Sequence, residues 1–343
     1  MAQAGPKNAI TDIKGLLVGS FTDQEAVSGV TVVLAPQGAV AGVDVRGSAP
    51  GTRETDLLDP INLVEQVQAV VLAGGSVYGL AAAQGVVDWL AKRGLGFPLD
   101  QGRVAPIVPA AVLYDLSRGK SLIPPVGPEW GRAACRAAHD GAVEMGSKGA
   151  GTGASAGGLK GGLKGGLGTA SELLPSGLMV GALAAVNPFG SVIDPATGRP
   201  WEIRLELNGE FGPAGKRAVR LNPPDQEGPA EDPAGRNTTL GVVAVDAKLT
   251  KAQAMKMAQM AQDGLARAIR PAHTMFDGDT VFCLATGERE LPEEEGVFVA
   301  PQAPALTELG RAGADCLARA IIRAVLSAES LGGLRAFADL EDH

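Results

Sequence analysis

Residues 222–245 read NPPDQEGPAEDPAGRNTTLGVVAV, and the chain changes character at Asn237-Thr238. From Asn222 to Arg236 it carries four prolines, four acidic residues and no large apolar side chain. Burial there cannot offset the entropy of ordering, so residues 222–236 read as a linker. From Thr239 to Val245 every side chain is small, apolar or β-branched and none is charged, the pattern of a central strand covered on both faces. The junction therefore joins an exposed, extended segment to a rigid, buried one.

Working outward, Thr250 with Gln253 forms a capping-box pattern. The helix it opens would place Ala254, Met257, Ala258, Ala261, Gly264 and Leu265 on one face. A strand is expected at Thr280–Ala285 and a long helix from about Leu306 to Ala328. Upstream, Val30–Val45 suggests two short strands joined by Pro36-Gln37-Gly38, and Gln68–Ala73 a buried strand. A helix follows over Tyr78–Lys92, a strand over Ala110–Tyr114 and an Ala-rich helix over Pro128–Met145. Gly146–Gly168 reads as a Gly-dense loop, with strands at Gly177–Val186 and Trp201–Leu207. Strands and helices alternate without strict βαβ order, which favours a mixed, layered α/β sandwich over a doubly wound sheet.

Composition narrows the chemistry. A length of 343 residues supports a sizeable core, and with 4% aromatic residues and 48 Gly that core must be built from small and aliphatic side chains. A net charge of −8 leaves no basic excess for a nucleic-acid partner. No run of about 18 apolar residues predicts a membrane span, and no signal peptide is apparent at the N-terminus. The three cysteines, Cys135, Cys283 and Cys316, are isolated, as in a reduced, cytoplasmic protein. Of the three histidines, His139 and His273 share no zinc-site spacing, and His343 is the last residue. No GxSxG elbow accompanies a histidine, so a Ser-His-Asp triad has no support. The glycines of 146–168 fit neither the phosphate-loop nor the dinucleotide pattern, which leaves a structural loop or one that lines a non-nucleotide site.

An enzyme without a catalytic histidine can use the α-amino group of its first residue as base, since that amine titrates at about 7.7–8.0. This requires Thr, Ser or Cys at a newly made N-terminus, and the Asn237-Thr238 junction offers such a place. Taken alone, the same junction reads more readily as an ordinary loop ending.

The surrounding motifs favour the first reading. Val43-Asp44-Val45-Arg46-Gly47, Pro50-Gly51-Thr52-Arg53-Glu54-Thr55-Asp56, Leu72-Ala73-Gly74-Gly75-Ser76 with Gly79-Leu80, and Gly149-Ala150-Gly151-Thr152-Gly153-Ala154 occur in order. Lys164-Gly165-Gly166-Leu167-Gly168, Ala185-Val186-Asn187, Asn237-Thr238-Thr239 and Asp277-Gly278-Asp279-Thr280 follow. Across nearly its whole length the chain resembles the DmpA-type self-processing peptidases, which include aminopeptidases, β-aminopeptidases and nylon-oligomer hydrolases.

The resemblance implies one catalytic domain over residues 1–343, folded as a four-layer αββα sandwich of the N-terminal-nucleophile type. Cleavage between Asn237 and Thr238 would give an α fragment of residues 1–237 and a β fragment of residues 238–343. It assigns Thr238 as nucleophile, Asn187 as oxyanion donor, Tyr114 as an active-site phenol, and Asp277 and Asp279 as an acidic pair beside the nucleophile. Nylon-oligomer hydrolases carry a lysine directly after Ser-Ala-Gly. Here Gly158 follows Ser155-Ala156-Gly157, and Lys160 is taken as the counterpart, with Lys164 as the other choice. The expected activity is hydrolysis of amides in short peptides, amino-acid amides or 6-aminohexanoate oligomers, with no metal or organic cofactor. A homotetramer or larger ring of αβ units is the expected assembly. N-acyl transfer of the ornithine-acyltransferase kind is the alternative, and a non-catalytic nucleotide-binding protein a more distant one.

Overall fold

The computed structural model describes residues 2–157, 162–221, 237–294 and 300–342; the linker 222–236 and Lys160 lie outside them. Its main strands are β1 (Leu17–Asp23), β2 (Ser28–Val45), β3 (Gly51–Arg53), β4 (Gln66–Ala73) and β5 (Ala110–Val112). The short β6 (Ser155–Ala156) and β7 (Leu163–Lys164) come next, then β8 (Gly166–Leu173), β9 (Met179–Asn187), β10 (Thr238–Ala247) and β11 (Thr280–Arg289). The principal helices are α1 (Ala81–Ala91), α2 (Pro128–Ala137), α3 (Lys251–Ala268) and α4 (Ala303–Leu326).

Nine of these strands are hydrogen-bonded in the order β8-β9-β10-β11-β2-β4-β5-β3, with β1 also on β2. The long β2 belongs to two layers. Val30–Leu34 pairs with β4, its register shifts before Ala39, and Val40–Val45 pairs with β11. The two short strands expected at 30–45 are thus one strand, and the irregularity around Pro36-Gln37-Gly38 carries it from one sheet layer to the other.

Three apolar clusters separate four layers. One lies between α1/α2 and the first sheet layer and includes Val32, Val71, Val86 and Trp130. The middle one joins Val33, Val70 and Leu72 to Leu183, Leu240, Val242 and Phe282. The third joins Val243, Val245, Val281 and Cys283 to Met257, Leu265, Leu317 and Ile321 of α3 and α4. Successive side chains of a strand point to opposite faces, so alternate residues of β10 serve opposite cores. The order is αββα.

The capping box at Thr250 and Gln253 forms as expected, and the predicted apolar face of α3 is buried. Other expectations fail as well. The helix at 128–145 stops at Ala137, and Trp201–Leu207 holds a turn and a 3-10 segment at Ile203–Leu205 instead of a strand. No helix among the described residues is long and apolar enough to cross a membrane.

Candidate active site

The junction singled out in the sequence lies where β10 enters the sheet. Thr238 is its first residue and faces Asn187, the last residue of β9, in antiparallel register. Asn237 bridges in parallel to Asp277. Its N–H donates to the Phe276 carbonyl at 3.2 Å, and its own carbonyl accepts the Gly278 N–H at 3.0 Å. The Thr238 hydroxyl donates to that same Asn237 carbonyl. The peptide group preceding Thr238 is therefore held in place, with one N–H on its oxygen and a hydroxyl against it. Thr238 is 4% exposed.

Gly278 explains how close the approach is. A Cβ there would lie 2.8 Å from the Thr238 hydroxyl and 2.7 Å from the Ala49 carbonyl oxygen. Ala49 N–H in turn donates to the Asp277 carbonyl, and the N–H groups of Arg46 and Gly47 to that of Asp279. Two motifs far apart in sequence, Val-Asp-Val-Arg-Gly and Asp-Gly-Asp, thus meet on their backbones.

Asn187 is fully buried and fixed from both ends. Its Oδ1 accepts the Ser155 N–H at 2.8 Å and the Ser155 hydroxyl at 3.2 Å, while Nδ2 donates to the Tyr114 carbonyl at 3.0 Å. A primary amide has a second N–H, and this arrangement sets its direction beside Thr238.

The residue after Tyr114, Asp115, is buried and takes the Gly75 N–H at 2.6 Å. Burial pushes its carboxyl up to about 6, against the opposing pull of Gly75, Ser28, Lys164 and Arg118. Lys164 is also fully buried. Its ammonium donates to the carbonyls of Gly151, Ala154 and Gly165 at 2.8, 2.9 and 3.0 Å. Burial brings it down to about 7, with Asp115 pulling the other way. Lys164 thus braces the loop that carries Ser155, which it faces in the β6–β7 pair.

The two aspartates flank the junction but spend their oxygens on fixed donors nearby. Asp279 accepts the Thr239 N–H on Oδ1 at 2.8 Å, and the His273 N–H and ring Nδ1 on Oδ2 at 3.0 and 2.9 Å. Asp277 accepts the Phe189 N–H and the Thr274 N–H, each at 3.0 Å, and the Thr274 hydroxyl. Burial, then the charge of Asp279, raises the Asp277 carboxyl above its ordinary value. From the sequence, both carboxylates were expected beside Thr238 itself. In the uncut chain they hold its neighbours, because a buried carboxylate needs fixed donors. His273 was weighed only for zinc and triad chemistry and set aside, since no local spacing signals its contact with Asp279.

A cavity of about 510 Å³ opens onto Asn237 and Thr238 and is lined by Pro50, Val77, Val112, Leu113, Tyr114, Leu116, Met275 and Phe276, among others. Tyr114 thus reaches the site through both its side of the cavity and its carbonyl. In the Gly-dense loop, the N–H groups of residues 149–152 and 154 are already taken up within the protein and form no anion cradle. The N–H groups of Gly149 and Ala150 go to the Thr22 and Thr31 hydroxyls at 2.8 and 3.1 Å. Those of Gly151, Thr152 and Ala154 go to carbonyls of the same loop.

Known proteins share this arrangement of sequence and fold. Residues 8–337 match peptidase family S58. An uncharacterised aminopeptidase of Mycobacterium leprae (strain TN) is 49% identical over 96% of this chain and 93% of its own. The 6-aminohexanoate-oligomer endohydrolase of Kocuria sp. (strain KY2) is 31% identical over 91% of this chain and 84% of its own. Among solved structures, the L-aminopeptidase D-Ala-esterase/amidase from Ochrobactrum anthropi is described as a variant of the Ntn-hydrolase fold. It superposes with a TM-score of 0.68, at 22% identity over 96% of this chain and 88% of that one. The chain belongs to peptidase family S58 and is a hydrolase of amide bonds.

Proposed function

We propose that the protein is a self-processing N-terminal-threonine amidohydrolase that cuts itself between Asn237 and Thr238. The observation that carries this reading is the Thr238 hydroxyl lying against the Asn237 carbonyl while the Gly278 N–H binds the same oxygen. Attack by the hydroxyl oxygen on the carbonyl carbon forms a C–O bond and breaks the C–N bond. The hydroxyl proton passes to the departing nitrogen, which becomes the Thr238 amine. Water then hydrolyses the ester, leaving a carboxylic acid on Asn237 and restoring the hydroxyl. In the mature site the free amine takes the hydroxyl proton as the substrate amide is attacked, and returns it to the leaving amine. The Asn187 amide supports the developing oxyanion, where one lost donor costs about 10²–10³ in rate.

The cavity, whose lining mixes aliphatic side chains such as Val77, Val112 and Leu116 with polar groups, suits the acyl part of short peptides, amino-acid amides or 6-aminohexanoate oligomers. Three buried free cysteines fit a reducing cytoplasm. Ile61 and Leu63, 88% and 82% exposed, fit a surface covered in a homotetramer or larger ring.

Mass analysis of the purified protein is expected to give fragments 1–237 and 238–343. Thr238→Ala is expected to stay one chain and to release no amine from 6-aminohexanoate oligomers or amino-acid amides. An uncut wild-type chain after prolonged incubation, or an active alanine variant, defeats the reading.

A further inference from the structure

His273 stands outside the set of residues that the reaction above uses, yet two hydrogen bonds in series tie it to the backbone amide of Thr239, the residue after the nucleophile. Its backbone is left-handed, with φ 55°. That conformation is uncommon for any residue other than glycine and persists only where surrounding contacts fix it. Here it turns the backbone N–H and the ring Nδ1 onto one oxygen, Oδ2 of Asp279. The other oxygen of that carboxylate holds the Thr239 N–H, the amide immediately after Thr238. An ionised carboxylate only accepts, so the ring presents Nδ1–H to it. The remaining ring nitrogen, Nε2, is buried without a hydrogen-bond partner among the described residues. Among the described residues, the ring's hydrogen bonding is thus to Asp279.

The same short segment shapes the rest of the junction. Thr274 binds Asp277, Phe276 accepts the Asn237 N–H, and Gly278 donates to the Asn237 carbonyl. If Asp279 swung away, the Thr239 amide would lose its acceptor and the start of β10 one of the contacts that fix it, beside its pairing with β9.

We infer that His273 is a positioning residue: it locks the Asp279 carboxylate onto the Thr239 amide and thereby sets the direction of the Thr238 hydroxyl and of the amine that cleavage exposes. The inference rests on the proposed function above. It separates from that reading in one experiment, because wild-type self-cleavage tests the reading and the variants test His273.

The experiment compares His273→Asn and His273→Gly with wild type. Asparagine tolerates the left-handed backbone and places an amide N–H near the position of Nδ1; glycine tolerates the backbone and removes the donor. The readouts are melting temperature, the cut fraction over time by mass spectrometry, and kcat and KM with 6-aminohexanoyl-p-nitroanilide. The glycine variant is expected to fold, to cut itself more slowly and to lose kcat by about 10- to 100-fold, the effect of one charge-assisted hydrogen bond. Its KM is expected to stay within about twofold, since the cavity wall is intact. The asparagine variant is expected to recover most of both rates. A glycine variant with wild-type rates, a loss confined to KM, or an asparagine variant as slow as glycine overturns the inference. So does a glycine variant that fails to fold, which would make His273 a structural residue.

Discussion

At position 278 an alanine would ask how much freedom the nucleophile has. Gly278 does not have a left-handed backbone, so alanine costs nothing in φ and acts only through its Cβ. That atom would sit 2.8 Å from the Thr238 hydroxyl, which must move. A displacement of about 1 Å can cost roughly 10² in rate, so Gly278→Ala is expected to cut itself about a hundredfold more slowly while still folding; a time course by mass spectrometry checks this. Lys164 and Asp115 make a separate prediction, on stability. Between about 7 and its ordinary 10.5, the unfolded chain holds a proton that native Lys164 has released, so this group makes stability rise with pH there. For Asp115 the window is 3.8 to about 6: the native state keeps a proton that the unfolded chain gives up, and stability falls as pH rises. Lys164→Met is expected to lower the melting temperature overall and, between about pH 7 and 9, to flatten the climb that Lys164 contributes; above 9 the three buried thiols, raised above their ordinary value, act in the opposite sense. A climb of unchanged slope would place the titration elsewhere. The motifs that carry the resemblance point to Thr238, Asn187 and the two aspartates, and the fold brings those four residues to one end of β10. The contact of Asp115 with Gly75 could not be read from the sequence, since it joins segments 40 residues apart, nor could that of His273 with Asp279, since it depends on a left-handed backbone at His273 that no local spacing signals.

Among the elements, those with one unambiguous pattern were legible. β10, β11 and β4 are apolar runs, and α3 combines a capping box with a regular apolar face. Helix α4 was expected from 306 to 328 and spans Ala303–Leu326, close to the usual error at helix ends. The start of β8, residues 166–168, was read as loop because Gly166 and Gly168 lower strand propensity. Their reason is tertiary: a Cβ at either would run into the backbone of α4, at the carbonyls of Ala324 and Ala320. Gly264 plays the same part between helices, where a Cβ would strike the Ala314 carbonyl. In a lone helix Gly→Ala gains about 1 kcal/mol. Here overpacking of about 1–3 kcal/mol opposes it, and a carbonyl on the facing helix cannot rotate away. Gly264→Ala is therefore expected to lower the melting temperature by a few degrees with the active site intact, as calorimetry and residual self-cleavage can show. A stabilised variant would mean that the α3–α4 contact yields more easily than its geometry suggests.

For the whole molecule, the position of the proposed cut in the sheet order decides what cutting does. Residues 238–343 supply β10, β11, α3 and α4, whereas residues 1–237 supply every other strand of the large sheet. The two later strands are not an edge. β10 pairs with β9 from Thr238 to Val245, and β11 pairs with β2 from Thr280 to Ala285. Separating the fragments would break both ladders and expose Leu240, Val242, Phe282 and Leu284 from the middle core as well as the α4 face packed on β8 and β9. At about 1.5–3 kcal/mol for each large apolar side chain, these four alone oppose separation by on the order of 10 kcal/mol. One severed peptide bond beside the linker removes none of these contacts. It frees only the carboxyl end of residue 237, which leaves Thr238 anchored by the strand it begins. Fragments cut at Asn237-Thr238 are therefore expected to co-elute on gel filtration at micromolar concentration, to melt in one transition, and to part only in denaturant. Fragments that separate on simple dilution would show that the sheet does not hold β10 as its pairing implies, and would deprive Thr238 of the rigid support its chemistry requires.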